Sequence, residues 1–452
     1  MDENKKTIIF VAVAAVLLIV ALISSPGRIT PDAFTDQGEI FFPDFTDPNT
    51  ATTLEVVDFN QTTGTAVPFK VTFANNRWTI PSHHDYPADA KERLAKTAAG
   101  IIDMKREEFR TDNVSDHEAC GVIDPLDETA GNEGRGQRVT VRGEGDKLLA
   151  DFIIGNEVEG RRGFRFVRIP GQNRVYTAQT DVEITTRFED WIDTDLLRIN
   201  PRKILEIVLN DYSINEQTLS VDQRDNLELS LRDGVWRANN MSNSQQVDTT
   251  VMQQLLTSLD SVSIVGVRPK PEGLSASLRM ADDTREVTQA DIRSLQNKGF
   301  YLSRDGQLLS NEGELELLTT DGVIYSLRFG EVVYGSGLAV TAGVDEASGS
   351  GEELSGANRY LFITARFNEN FFKQPSEPKD KSYLEKADSL WTDADRQNKQ
   401  MQDAYNRWET SVEIGRQTAA DLSNRFAGWY YVISAESFDQ IRLERSALVT
   451  SK

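Results

Sequence analysis

The chain has 452 residues, with 49 basic and 71 acidic side chains and a formal charge of −22. That balance excludes nucleic acid, whose binders present a basic face, and anionic lipid headgroups as partners of the polar body. The single Cys120 excludes an intramolecular disulfide, which an oxidising compartment permits but does not require.

Residues 7–24, TIIFVAVAAVLLIVALIS, carry neither charge nor proline. As a helix they extend about 27 Å at ~1.5 Å per residue, near the thickness of a bilayer core. The spacing predicts an N-terminal transmembrane helix, with an anchor at 1–28; a cleaved signal peptide is the rival reading. Lys5 and Lys6 precede the span and Arg28 follows it, so the positive-inside count favours a cytoplasmic N-terminus by one residue. The expectation is a single-pass protein with the bulk of the chain in the periplasm or an equivalent envelope space. A linker at 29–50 follows, with Pro31, Pro43 and Pro48 and an apolar piece at Ile40-Phe41-Phe42 suited to dock on the first domain.

Beyond the linker the same order of elements occurs twice. In the first copy, 53–59 and 69–73 alternate as strands, a turn leads to Arg77-Trp78-Thr79-Ile80, and a helix pattern follows over 88–102. In the second copy, 204–210 and 227–231 alternate, a turn leads to Val235-Trp236-Arg237-Ala238, and a helix pattern follows over 248–261. Strand-like runs continue at 138–141, 149–154, 164–169 and 174–178, and again at 300–303, 315–319, 324–329 and 360–366. Three landmarks align the copies: Trp78 with Trp236, Gly155 with Gly330, and Phe188 with Phe367. The fold class is α+β, with two repeated, mainly antiparallel α+β domains at 51–200 and 201–375.

A third part occupies 379–427, a long helix or helical hairpin. From Leu384 a 3-4 spacing selects Ala387, Trp391, Ala394, Met401, Tyr405, Trp408, Val412, Ala419, Leu422 and Phe426, interrupted by Asn398 and Gly415. Such a stripe must be buried somewhere. It packs on the protein's own domains or, alternatively, joins a partner or a second copy as a coiled coil. At 428–452, a strand at Trp429-Tyr430-Tyr431-Val432-Ile433 and a tail follow, the strand suited to return to a sheet and leave the helix as an excursion.

No constellation in the chain announces chemistry. His83-His84-Asp85 and His117-Glu118-Ala119-Cys120 hold the residue types of metal ligands, but zinc needs three or four converging ligands, so exposed loops are expected. Gly131 to Gly136 is glycine-rich without the strand, helix and Gly-Lys-Ser/Thr of a phosphate loop. Asp190, Asp193 and Asp195 gather near Trp191; a carboxylate pair can perform glycoside cleavage, but Asp193 or Thr194 better suits capping a short helix at Asp195. Trp78 and Trp236 are expected in the cores. The expectation is therefore no catalytic residue, no cofactor-binding residue and no metal ligand: not an enzyme.

The residues nonetheless resemble a known family. A span, then Trp78-Thr79-Ile80, Tyr86-Pro87-Ala88-Asp89 before a helix, Gly121-Val122-Ile123-Asp124-Pro125, Ile153-Ile154-Gly155 and Arg187-Phe188 with Trp191 are similar to the bacterial domain-of-unknown-function family 4340. The second copy fits at Trp236, Leu255, Gly330 and Arg366-Phe367 and lacks the Tyr-Pro-Ala-Asp motif. Phe41-Phe42-Pro43-Asp44-Phe45 and Trp429-Tyr430-Tyr431-Val432 resemble planctomycete-type members. The resemblance implies no activity and no functional residue. It implies a place in the bacterial inner membrane beside gliding-motility-type ABC transporter subunits. The expected function is a non-enzymatic, membrane-anchored envelope scaffold or accessory subunit of an ABC-2-type transporter complex. Expected partners are the membrane, through the N-terminal helix, and transporter subunits, with homo-oligomerisation through the C-terminal helix; nucleic acid is excluded. The alternatives are a periplasmic module binding glycan, lipid or peptide, in a cleft between the copies, and an envelope hydrolase.

Overall fold

The computed structural model describes residues 13–17, 36–180, 184–215, 218, 220–280, 288–303, 306–335, 337–343 and 357–452. The expected span at 7–24 lies largely outside these; among the described residues no helix is long and apolar enough to cross a membrane. The chain divides into two compact units, one of residues 1–79 and 89–186, the other of residues 80–88 and 187–452. Each carries a large antiparallel sheet with helices, an α+β architecture.

The first unit opens with a docked lead. Phe41 meets the Tyr176 ring edge-on at 5.7 Å and Phe42 tilts against Phe152 at 5.5 Å. Backbone bonds from Phe41 N to Met104 O and from Arg106 N to Glu39 O fasten the segment. Asp47 then caps the 3₁₀ turn Pro48–Thr50, and strands β1 (Ala51–Asn60), β2 (Thr65–Ala74) and β3 (Arg77–Ile80) follow as antiparallel neighbours. Their register explains the alternation. Leu54 faces Val71 and Val56 faces Phe69 on the buried side, while Glu55 opposes Lys70 on the other, an opposite-charge cross-strand pair. Strand β4 (Tyr86–Pro87) lies in the connecting segment counted with the second unit. Helix α1 (Lys91–Ile102) buries Leu94, Thr97, Ala98 and Ile101, the i, i+3, i+4, i+7 face of an amphipathic helix. After β5 (Glu108–Thr111) and the short α2 (His117–Cys120) come β6 (Gln137–Gly143), β7 (Leu148–Glu157), β8 (Phe164–Arg168) and β9 (Val175–Gln179). From β3 onward the sheet order is β3-β2-β1-β6-β7-β8-β9-β5.

The second unit contains β10 (Ile204–Asn215), β11 (Ser220–Arg232), β12 (Val235–Ala238), β13 (Gln245–Val247), α3 (Thr249–Asp260), β14 (Ile264–Pro269), α4 (Glu272–Met280) and α5 (Gln289–Gln296). It continues through β15 (Phe300–Leu302), β16 (Leu308–Ser310), β17 (Glu314–Thr319), β18 (Val323–Val333), α6 (Gly337–Thr341) and β19 (Asn358–Phe367). It ends with α7 (Asp393–Ala427), β20 (Trp429–Ile433), α8 (Ala435–Ile441), α9 (Arg445–Leu448) and β21 (Val449–Ser451). Its eight-stranded sheet has the order β12-β11-β10-β17-β18-β19-β20-β14. Strand for strand this is the first unit's order, and α1 and α3 occupy the same step of the sequence. The correspondence starts before residue 51, because Asn200 caps the turn Pro201–Lys203 as Asp47 caps Pro48–Thr50.

The strand order also corrects one landmark. Phe367 ends β19, which corresponds to β8, whereas Phe188 opens a 3₁₀ turn after β9; the element after β20 is α8, whose buried Phe438 and Ile441 match Phe188 and Trp191 in position. Gly155 and Gly330 do correspond. Each lies in a stretch where the strand register shifts, between Ile154 and Glu157 and between Phe329 and Val332. A Cβ on Gly155 would lie 2.3 Å from Cys120 O, and one on Gly330 2.1 Å from Lys298 O. Both glycines are required because another segment's backbone crosses there.

The heptad stripe becomes one helix, not a hairpin of two. It starts at Asp393, behind a Thr392–Asp395 capping box, and is about 52 Å long at ~1.5 Å per residue. The segment expected to begin it forms 3₁₀ turns at Ser382–Glu385 and Asp388–Leu390, and Leu384 is exposed. The inner half of α7 buries Val412, Gly415, Ala419, Leu422 and Phe426. A Cβ on Gly415 would stand 2.3 Å from the Phe367 ring, so the helix backbone lies directly on the end of β19. The outer half is partly covered by the chain leading into it: Trp408 Nε1 donates to Phe372 O at 3.1 Å, Trp391 Nε1 to Tyr383 O at 3.2 Å, and Lys386 pairs with Asp395 at 2.8 Å. Residues 368–428 are thus an excursion between two adjacent strands of one sheet, β19 and β20. The stretches expected as separate parts at 379–427 and 428–452 both fall in the second compact unit.

Candidate functional site

The residues singled out from the sequence take up structural positions. His83 is buried rather than exposed in a loop. Its ring stacks on Phe188 at 4.4 Å, Nε2 bonds to Thr341 Oγ1 at 2.9 Å and Nδ1 to Ser82 Oγ at 3.0 Å. Burial, with the charges of His84 and Arg268, pushes its pKa down to about 4, so the neutral ring donates from one nitrogen and accepts at the other. His84 bonds through Nε2 to Ala342 O at 2.7 Å. Both His84 and Asp85 hold left-handed backbone, at φ 57°, an unusual pair of non-glycine positions. Arg268 secures the other side, donating to the carbonyls of Ala339 and Val340. The histidine segment and the start of the 335–356 loop, far apart in sequence, therefore meet within one unit; residues 344–356 lie outside those described.

His117 and Cys120 are likewise buried. His117 Nε2 bonds to Asn173 O at 2.7 Å, and burial pushes the Cys120 thiol up, away from the reactive thiolate. Among the described residues no group of three or more His, Cys, Asp and Glu is placed to hold a metal ion. The 131–136 loop is not a phosphate cradle but is pinned by Arg135, which donates to the carbonyls of Gly131, Asp124 and Ala130 and lies over the Phe59 ring at 4.5 Å.

The acidic cluster is an ion-pair junction. Asp193 accepts from Asp195 N at 3.1 Å in a local turn, and no helix begins at Asp195 for it to cap as expected; it also accepts from Arg198 and Arg425 at 2.9 and 3.0 Å. Burial works against its charge, but the two guanidinium groups outweigh it and hold the carboxyl below its usual range. Arg425 lies near the end of α7, so the cluster anchors the long helix to the segment preceding β10.

Two features escaped the sequence reading. Lys270, the residue after β14, is buried without an ion pair among the described residues. Its Nζ donates to Phe426 O at 3.1 Å and lies 3.8 Å from the centre of the Phe362 ring. Burial pushes its pKa well below the usual lysine value. The signal available was its setting between Pro269 and Pro271.

The second feature is a groove of about 720 Å³ lined by β12, residues 241–247, the start of α3 and Lys452. Half-exposed Trp236 and Met241 supply its apolar surface, over the buried Met252 and Leu256, and Arg237 and Lys452 its charges. Trp236 and Trp78 are thus half-exposed rather than core; Trp78 packs on the exposed Phe73 at 5.2 Å. Both lie on four-residue strands at or next to the end of their sheets, where fewer neighbours cover a ring.

No curated protein and no solved structure matches this chain. Residues 78–277, from the tryptophan of β3 to α4, match one family model and carry a domain of unknown function, DUF4340.

Proposed function

We propose that the protein is a non-enzymatic scaffold of a bacterial envelope, anchored in the inner membrane by its N-terminal helix, its bulk periplasmic, and serving an ABC-2-type transporter complex as an accessory subunit. The two sheets are read as copies of one ancestral unit. The observation that supports this most is the matched strand order of the two sheets. At matched positions stand glycines, helix leucines and caps that build cores, while the copies differ in added elements: α7 with its lead, α6 and the β12 groove. The conspicuous polar residues are occupied within the fold: Arg135 and His117 hold backbone carbonyls, His83 the Thr341 hydroxyl and Asp193 the Arg425 guanidinium.

Purification of the tagged chain from its own membranes in mild detergent tests this reading. The expected result is co-recovery of membrane transporter subunits in fixed ratio; recovery of the chain alone overturns it. A second reading, a peptide-, glycan- or lipid-binding module, is favoured by the groove beside β12, whose mixture of aromatic and polar lining suits a small set of oriented contacts.

A further inference from the structure

We infer that the groove beside β12 takes an extended peptide segment of a partner protein, apolar and acidic in alternation, which adds to the sheet as a further strand. This deepens the scaffold reading and rests on it.

Three observations on the second unit carry the inference. First, β12 ends its sheet: it pairs with β11 on one side only. In an end strand the backbone N–H and C=O groups of alternate residues point away from the sheet and template another chain. β13, the strand next along the sequence, packs near β12 but makes no ladder with it; its ladder is with β21, in a separate two-stranded ribbon. Second, the space beside the edge is concave rather than flat, with about 720 Å³ of volume and an apolar wall. Strand addition uses such pockets to select alternate side chains, and the half-buried Met241 can adapt its shape to different partners.

Third, the charge is inverted relative to the chain. The molecule carries 71 acidic residues, yet no Asp or Glu lines the groove; its charged residues are Arg237 and Lys452. Arg237 makes no ion pair among the described residues, and the Lys452 ammonium is held at the rim by Asn243 O at 2.7 Å. Asp248, at the margin, is occupied in capping α3 through Thr250 N and Val251 N. Cations in a groove without a facing carboxylate side chain are complementary to an acidic segment. Neutral hydrogen bonding from Gln245, Gln246 and Gln253 is compatible with backbone along the groove.

The test begins by panning a random twelve-residue peptide display library on the purified full chain. Enrichment of sequences alternating apolar and acidic residues is expected. A synthesised winner should bind saturably, lose at least tenfold in affinity to the Arg237→Glu, Lys452→Glu double variant, and lose binding when its alternate backbone amides are methylated. Both positions are exposed, so an unchanged melting temperature will show that the variant is folded. No enrichment, a basic consensus, indifference to the double variant or indifference to amide methylation each overturns the inference. The same double variant separates this from the broader reading. If transporter subunits copurify equally with variant and wild type, the groove inference falls and the scaffold stands. If the wild type comes out alone while the peptide still binds, the scaffold reading falls and the groove remains a peptide site.

Discussion

In the first unit β8 and β9 are joined by residues 169–174; in the second the equivalent β19 and β20 are joined by residues 368–428. The order of strands around them is the same. The comparison teaches that pairing in each sheet is specified by the strands, not by the length of the connection. Loop-closure entropy grows only logarithmically with length, and an excursion that buries its own face lowers the cost further. The inner half of α7 does this, laying Val412, Ala419, Leu422 and Phe426 into the protein. The outer half, half-covered by its own lead, adds reach rather than core.

The sharpest way to break the comparison is through the two crossing glycines. Gly155→Ala and Gly330→Ala each place a Cβ against a carbonyl oxygen, Cys120 O and Lys298 O, at a cost of about 3 kcal/mol for overpacking against backbone. If the units are equivalent, limited proteolysis will show each variant opening its own sheet. A single variant that opens both, or neither, contradicts the correspondence.

Nearly as large is the effect of acid on the second unit. The folded pKa of His83 lies at about 4, below the ordinary histidine value. The unfolded chain therefore binds the proton first, and stability present above about pH 6.5 is lost as the pH falls toward 4. The full difference is about 3 kcal/mol. Denaturant titrations at several pH values should show this slope in the wild type and its loss in His83→Gln, which keeps a donor and an acceptor.

Next comes the contrast between the residues that follow the corresponding strands: exposed Asp112 after β5 and buried Lys270 after β14. Lys270→Met removes an amine whose charged form is disfavoured by burial, and Phe426 O keeps its bond from Gly428 N. Stability should rise by about 1–2 kcal/mol at neutral pH. The wild type should also gain stability as the pH rises toward the unfolded lysine pKa, and the variant should not. A destabilised variant would show that the amine organises the end of α7.

A smaller effect separates the two halves of α7. Thr392→Ala removes the capping box at a cost of about 1 kcal/mol, and hydrogen exchange should speed up in the outer half alone, leaving amides around Leu422 unchanged. Smallest of all, serine in place of the exposed Leu384 and Leu390 should move stability by less than about 0.5 kcal/mol. A larger loss would mean that a second copy covers them.

Most of the strands were legible because alternation survives in β1, β2, β10, β17 and β18, where one face is buried and the other polar. β5 and β14 were not. Glu108-Phe109-Arg110-Thr111 is too short and charged, and Ile264 to Pro269 is interrupted by Gly266; both strands close an end of their sheet, where pairing comes from distant neighbours. The groove was illegible for a related reason. Trp236 was visible, but a tryptophan on a short strand has the same pattern whether its ring is packed or half-open.

The sequence by itself determined the repeat, the α+β class, the two amphipathic helices and the long stripe of α7, because these rest on periodicities of two and 3.6 that a chain carries locally. That Trp429 to Ile433 returns to a sheet and leaves the long helix as an excursion was already readable from the sequence; tertiary structure alone decided its place in the second sheet, between β19 and β14. It also decided that His83 meets Thr341 and that β12 is left as an edge. Each of these depends on which distant segments come to lie side by side, and no local pattern of side chains specifies a partner hundreds of residues away.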